Sequence, residues 1–257
     1  MSMILFLFIV AAIAGALNSV AGGGSFLTLP ALLYAGITPV VANATSTLAM
    51  WPGSVSSTIA YRRELKATTR WLARLGIVSL VGGWIGAVLL VRTPDTSFIR
   101  LLPWLMLVAA ATFTFGRRKS AAEARSADSE ANQAVSLWQR DVILVAVLQF
   151  FIAVYGGYFG GGMGIMMLAT FSLAGMADLH EMNGLKSFLG TAINGLALVE
   201  FVVRGAVAWQ PGLIMTVGAI LGGYMGAATA RKVDTKWIRL LVVVIGWSMT
   251  AYFFMRQ

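Results

Sequence analysis

The chain has 257 residues, of which 58% are hydrophobic and only 11% charged, with a mean hydropathy of +0.81. Soluble domains carry about 25% charged residues, so the composition excludes a soluble protein and points to an all-α polytopic membrane protein. The net charge of +9 does not imply nucleic acid, because the basic residues gather in three short segments and not on one binding face.

In chain order, apolar runs cover 3–17, 25–36, 38–60, 72–91, 98–116, 140–156, 163–175, 180–203, 209–230 and 237–255. A bilayer crossing needs about 20 residues. Six of the runs approach or exceed that length, and the four that fall short flank two glycine triplets. The first run could pass for a signal peptide, but it lacks a basic leading region and has a counterpart later in the chain. It is therefore expected to stay in the mature protein.

The first triplet, Gly22-Gly23-Gly24, interrupts an apolar stretch in "NSVAGGGSFLTLP" at 18–30. Glycine in a helix interior costs about 1 kcal/mol relative to alanine, so three together predict a break. Asn18, Ser19, Ser25 and Thr28 surround it, and the next run adds Asn43, Thr45, Ser46 and Thr47. The second triplet, Gly160-Gly161-Gly162, lies in "YGGYFGGGMGIMML" at 155–168, followed by Asn183, Lys186, Ser187, Thr191 and Asn194.

The two stretches are parts of a repeat. The triplets are 138 residues apart, Asn43 and Asn183 are 140 apart, and "GGWIGA" at 82–87 and "GGYMGA" at 222–227 are also 140 apart. "IRL" recurs at 99–101 and 238–240. The expected organisation is a first transmembrane repeat at 1–116, a solvated linker at 117–139 and a second repeat at 140–257. The linker is rich in Ala, Ser and mixed charge, and reads as flexible or marginally helical.

Five runs per repeat is an odd number, so the second repeat is expected to enter the membrane from the opposite side. Charge agrees with this inversion. The basic segments 62–74, 117–140 and 231–239 hold fourteen Lys and Arg, against four in the other loops and ends. By the positive-inside rule the rich side is cytoplasmic, which puts both termini outside. A pair of broken, short helices serves equally as two crossings or as one re-entrant hairpin, since either returns the chain to the side it left.

Broken helices at matching positions of inverted repeats are the best sequence pointer to a transporter's substrate site. Non-helical backbone at membrane depth is tolerated only where protein or a water-filled cavity satisfies it. Helix N-termini following each break attract negative charge, so a small anionic substrate is expected. The candidate binding residues are Asn18, Gly22, Gly23, Gly24, Ser25, Asn43, Ser46, Thr47, Gly160, Gly161, Gly162, Asn183, Lys186 and Ser187. Lys186 is the cation set furthest inside an apolar run, seven residues into 180–203, and either contacts substrate or snorkels to the aqueous edge. Any single Ser or Thr serves equally to glue helices.

Other features read as structural. The glycines of "GGWIGA" and "GGYMGA" have small-xxx-small spacing and imply close helix packing. Glu200 and Arg204 are spaced for an i,i+4 pair, with a protonatable coupling site as the rival reading of Glu200. Asp178, His180 and Glu181 read as a solvated turn. The single histidine and absent cysteines leave no metal site or thiol chemistry, and no cofactor is expected.

The stretches "NSVAGGGSFLTLPALLYAGITPVVANATSTLAMWPGS" and "YFGGGMGIMMLATFSLAGMADLHEMNGLKSF" resemble the sulfite exporter TauE/SafE family, in the glycine-rich break, the short helix and the polar-rich helix that follows. The resemblance covers nearly the whole chain apart from the linker. It implies a permease of the bacterial cytoplasmic membrane that exports sulfur-containing anions such as sulfite or organosulfonates. Met163 follows the second triplet where Ser25 follows the first, so the half-sites differ chemically. A passive anion channel, or a carrier of another small organic anion, stays open as an alternative. So do the coupling to protons or membrane potential and the oligomeric state; an enzyme is not expected.

Overall fold

The structure, a computed structural model, describes residues 2–20, 23–67, 69–126, 142–174, 176, 178–229 and 235–255. These form helices α1 (Met3–Val20), α2 (Ser25–Tyr34), α3 (Pro39–Ala60), α4 (Arg62–Ala67), α5 (Thr69–Arg92) and α6 (Asp95–Ser126). After residues 127–141 come α7 (Val142–Tyr158), α8 (Met163–Leu173), α9 (Leu179–Val203), α10 (Trp209–Thr229) and α11 (Thr235–Met255). No strand occurs among the described residues.

Each expected apolar run is a helix. Three stretches, Trp71–Arg92, Asp95–Phe115 and His180–Val203, are long and apolar enough to cross a membrane, and α1, α2, α7, α8 and α11 supply shorter apolar stretches. One detail differs from the sequence reading. The basic segment 62–74 is helical over most of its length, as α4 and the start of α5, because Arg, Leu, Lys and Ala are good helix formers whatever their charge. Helix α6 runs to Ser126, so the linker begins as helix, and the rest of that segment lies outside the described residues.

Helix starts explain where the polar helices begin. Pro39 opens α3 behind an extended Thr38, where its missing N–H costs nothing, and Asp95 Oδ1 accepts from Val40 N at 2.8 Å. Asp178 caps α9, accepting from His180 N at 2.7 Å and Glu181 N at 3.3 Å. The predicted solvated turn is therefore a capping turn, with Asp178 and His180 still exposed.

The short helices that follow the two glycine triplets are the most enclosed. Phe26, Leu29 and Leu32 of α2 join Ala42, Ala49, Leu102, Met106 and Phe113 in one core cluster. Met163, Met167 and Phe171 of α8 join Leu75, Met182, Leu185, Leu189 and Ile193 in a second. Long helices line the outside with apolar stripes: Ile77, Leu80, Val81 and Trp84 on α5, and Val217, Ile220, Leu221 and Tyr224 on α10 are exposed. The stripes lie at the same 140-residue offset as the sequence blocks.

Packing between helices follows a reciprocal pattern. Helix α1 lies against α10 and α7 against α5; α3 contacts α10 and α9 contacts α5; α2 contacts α11 and α8 contacts α6. Helices α3 and α9 also meet, as do α6 and α11. Glycine makes the closest approaches. A methyl group at Gly222 would fall on the Ala12 carbonyl of α1, and one at Gly86 on the Val154 carbonyl of α7. One at Gly82 would come within 2.8 Å of Phe150 O. The packing role expected of these blocks is realised at Gly82, Gly86 and Gly222.

Candidate functional site

Both glycine breaks are tight turns that reset the chain into a short helix. Gly23 has φ of +88° and Gly162 has φ of +81°, values that residues with a Cβ rarely adopt. Space excludes a side chain as well. A Cβ at Gly23 would lie 2.7 Å from Val242 Cγ1, and one at Gly162 would lie 3.0 Å from Ala109 Cα. After the first break, Gly24 O accepts from Leu27 N at 3.0 Å and Thr28 N at 3.2 Å; after the second, Gly162 O accepts from Ile165 N at 3.0 Å. Each is thus the start of a helix, whose first amides have no partner within it. Gly22 lies outside the described residues.

The polar stretch of α3 joins the two breaks. Asn43, Thr45 and Ser46 are all buried, Asn43 and Ser46 each at 3% exposure. Asn43 Nδ2 donates to Tyr158 O at 3.0 Å, and Tyr158 ends α7 just before the second triplet. Ser46 Oγ is 2.6 Å from Thr28 Oγ1, one turn into the helix that follows the first triplet. Thr28 Oγ1 also reaches back to Gly24 O at 3.3 Å. Asn43 and Ser46 are three residues apart, neighbours on one helix face. Both breaks therefore meet within a single turn of α3.

The first break has further neighbours. A Cβ at Gly24 would lie 2.9 Å from Met50 Sδ and 3.3 Å from Asn18 Cβ, so Asn18 sits beside it. Ser25 is the first residue of α2 and is half-buried.

At the second break, Lys186 is the cation. Its Nζ donates to Asn183 Oδ1 at 2.9 Å. Its stem runs past Gly164, where a Cβ would lie 3.3 Å from Lys186 Cδ. Lys186 and Asn183 are thus joined on α9, with the lysine lying across the first turn of α8. A Cβ at Gly160 would lie 3.9 Å from Asn194 Oδ1. The Tyr155 hydroxyl sits between Gly161 O at 2.8 Å and Leu105 O at 3.1 Å, fixing the middle glycine to α6.

Two predicted site residues have local partners elsewhere. Thr47 Oγ1 donates to Asn43 O on its own helix at 3.1 Å. Ser187 Oγ is 2.9 Å from Ser57 Oγ, an α3–α9 contact continued by Thr58 with Thr191 at 2.8 Å and by Trp51 Nε1 to Thr191 O at 3.1 Å. Thr45 Oγ1 accepts from Ala208 N at 3.0 Å, ahead of α10.

Glu200 pairs with Arg204 at 2.9 Å, as the spacing implies, and accepts from Trp84 Nε1 at 3.3 Å. Sequence reasoning missed Tyr155, whose place five residues before the triplet carries no distinguishing pattern. It also missed the buried Gln149–Ser79 bond of 2.8 Å between α7 and α5. A glutamine inside an apolar run was the available signal.

The sequence pattern of the TauE/SafE sulfite exporters matches residues 7–253. A Sinorhizobium protein named as a probable membrane transporter is 33% identical over 241 residues, 93% of this chain and 88% of that one. An Escherichia coli K12 protein of the same description is 30% identical, covering 95% of this chain and 87% of its own. A Haemophilus influenzae relative, likewise named, is 28% identical over 95% of this chain and 92% of its own. No solved structure matches. With its apolar helices and these relatives, the chain is a multi-pass membrane protein. It belongs to the TauE/SafE sulfite exporter family.

Proposed function

We propose that this protein is a secondary carrier that exports small sulfur-containing anions, such as sulfite or organosulfonates, across the bacterial inner membrane. The observation that carries the reading is the meeting of both glycine breaks on one turn of α3, through Ser46 to Thr28 and Asn43 to Tyr158 O. Two helix N-termini, those of α2 and α8, would offer main-chain amides to an anion. Lys186 would supply the positive charge, steadied by Asn183. Asn18, Ser25, Ser46, Asn43 and the triplet glycines would complete the site, and Ser187 and Thr47 would position α9 and α3 around it.

Inverted repeats, at 1–116 and 140–257 with the linker between, are part of the same reading. The reciprocal contacts of α1 with α10 and α7 with α5 support them, as do the exposed stripes of α5 and α10 at equal offset. The basic segments would face the cytoplasm, both termini the outside, and the stripes lipid. Alternating access would then come from rocking of one helix group against the other about the breaks.

Counterflow in liposomes tests the proposal. Purified protein is reconstituted with unlabelled sulfite, taurine or sulfoacetate inside, and entry of the labelled anion is followed. A carrier shows faster entry when unlabelled substrate waits on the far side. Entry indifferent to the far side would identify a channel, and no entry of any of these anions would remove the proposal.

A further inference from the structure

Helix α9 carries one amide that its packing leaves unused. Lys186 donates to Asn183, Ser187 meets Ser57 and Thr191 meets Thr58. Asn194 lies one turn further on, near the middle of the apolar stretch His180–Val203. It is half-buried, and its side chain makes no hydrogen bond with any described residue. A polar side chain at membrane depth costs free energy unless something satisfies it. The usual partner is a neighbouring helix, and none of the described helices supplies one.

Asn194 faces the second glycine break, which three positions of α9 meet in order. A Cβ at Gly164 would lie 3.3 Å from Lys186 Cδ, one at Gly190 would lie 3.6 Å from Met163 Cε, and one at Gly160 would lie 3.9 Å from Asn194 Oδ1. Positions 186, 190 and 194 are spaced for one helix face, so the break runs antiparallel along α9. Lys186 stands at its Gly164 end and Asn194 at its Gly160 end, about 12 Å apart along the helix axis. Lys186 turns its head back to Asn183, which leaves the Gly160 end to Asn194. Between them, the amides of Gly161, Gly162, Met163 and Gly164 have no acceptor among the described residues.

We propose that Asn194 is a ligand of the transported anion, donating from its amide to an anion oxygen at the Gly160 end of the break. Half a turn about the last side-chain bond exchanges Oδ1 and Nδ2, so the N–H group reaches the place where Oδ1 now lies. A sulfonate or sulfite group has several acceptor oxygens, one for Asn194 and others for the main-chain amides of the break. Lysine is a point charge with rotatable donors, whereas a planar amide donates in a fixed direction. Lys186 thus supplies attraction, and Asn194 supplies selection of a multi-oxygen anion at mid-membrane. This inference rests on the carrier reading above.

The test uses the full chain, in detergent for melting and in liposomes for counterflow of the same three labelled anions. Asn194→Leu and the smaller Asn194→Ala remove an amide that bonds to nothing in the protein, so the anion-free melting temperature is expected not to fall. Half-saturation of counterflow is expected to rise about tenfold or more, with the maximal rate within about twofold of native. Thr191→Val, one turn earlier, breaks the bond to Thr58 and is expected to show the opposite pattern, a lower melting temperature at native half-saturation. Native half-saturation in both Asn194 variants overturns the assignment and leaves the carrier intact. A lowered anion-free melting temperature in both overturns it too, by making Asn194 a structural residue. An equal rise in half-saturation for Thr191→Val overturns it by showing that any change on this face of α9 has the effect. Absence of counterflow in the native protein overturns the carrier reading and this inference with it.

Discussion

Asn43 of α3 donates to the backbone carbonyl of Tyr158, 115 residues further along the chain, at 3.0 Å. Its amide thereby satisfies a carbonyl at the end of α7 that no further helical turn can reach. Asn43→Ala leaves that part-buried acceptor without its donor, at a cost of about 1–3 kcal/mol. The expected outcome is a lower melting temperature in detergent and slower counterflow. Asn43→Asp, similar in shape but unable to donate when ionised, is expected to cost at least as much.

Lys186 gives a prediction about affinity with little effect on stability. Removing a charged hydrogen-bond donor from an anion typically costs about 1.5–3 kcal/mol, or roughly tenfold to a hundredfold in Kd. Lys186→Ala is therefore expected to abolish the stabilisation that sulfite or sulfoacetate confers on the purified protein in a thermal-shift assay. Gly164→Ala is the finer probe, since its methyl would press on Lys186 Cδ at 3.3 Å. It should weaken the anion response while the anion-free protein melts near its usual temperature.

The Thr28–Ser46 bond of 2.6 Å lends itself to a double-mutant cycle. Thr28→Val alone strands the Ser46 hydroxyl in a buried place and Ser46→Ala leaves Thr28 only its longer bond to Gly24 O, while the pair together leaves none stranded. The single changes are expected to sum to more destabilisation than the double, by about 0.5–1.5 kcal/mol. Additive effects in chemical denaturation would show the two hydroxyls to be independent.

Glycines with different surroundings should respond in opposite directions. Gly222→Ala and Gly86→Ala put a methyl on a neighbouring helix's carbonyl, and overpacking of this kind costs about 1–3 kcal/mol or more. Gly53 lies within α3 with nothing within 4 Å of its would-be Cβ. Gly53→Ala is expected to be neutral or to gain about 0.5–1 kcal/mol from helix propensity. Melting curves of the three variants compare the two cases directly.

Much of this arrangement was legible in the sequence, for reasons specific to membrane chains. Long apolar runs fix helix positions, and glycine triplets inside them announce breaks, because few other signals compete in so uniform a composition. The small-xxx-small blocks likewise announced close packing. Partnerships were less legible. Nothing local tells Asn43 that its acceptor is the main chain at Tyr158, or gives Tyr155 its place against Gly161. Thr47 and Ser187 have the same polar character as Ser46, yet their hydroxyls meet their own helix and Ser57. Helix α4 was hidden because basic composition reads as loop. The Asp178 cap had a sequence sign, an acid three residues before Glu181, that the reading as a solvated turn passed over.

The reciprocal packing has a consequence for how the molecule is made. The first helix of each half finds its main neighbour in the opposite half: α1 beside α10, α7 beside α5. Residues 1–116 synthesised alone would leave the glycine-to-carbonyl seam of α1 without its complement, and residues 140–257 would leave that of α7 likewise. The two halves are interlocked like clasped hands, so neither should accumulate as a stable fragment. Co-expressed from separate genes, they should reassemble, since the clasp does not depend on the peptide bonds of the connecting segment.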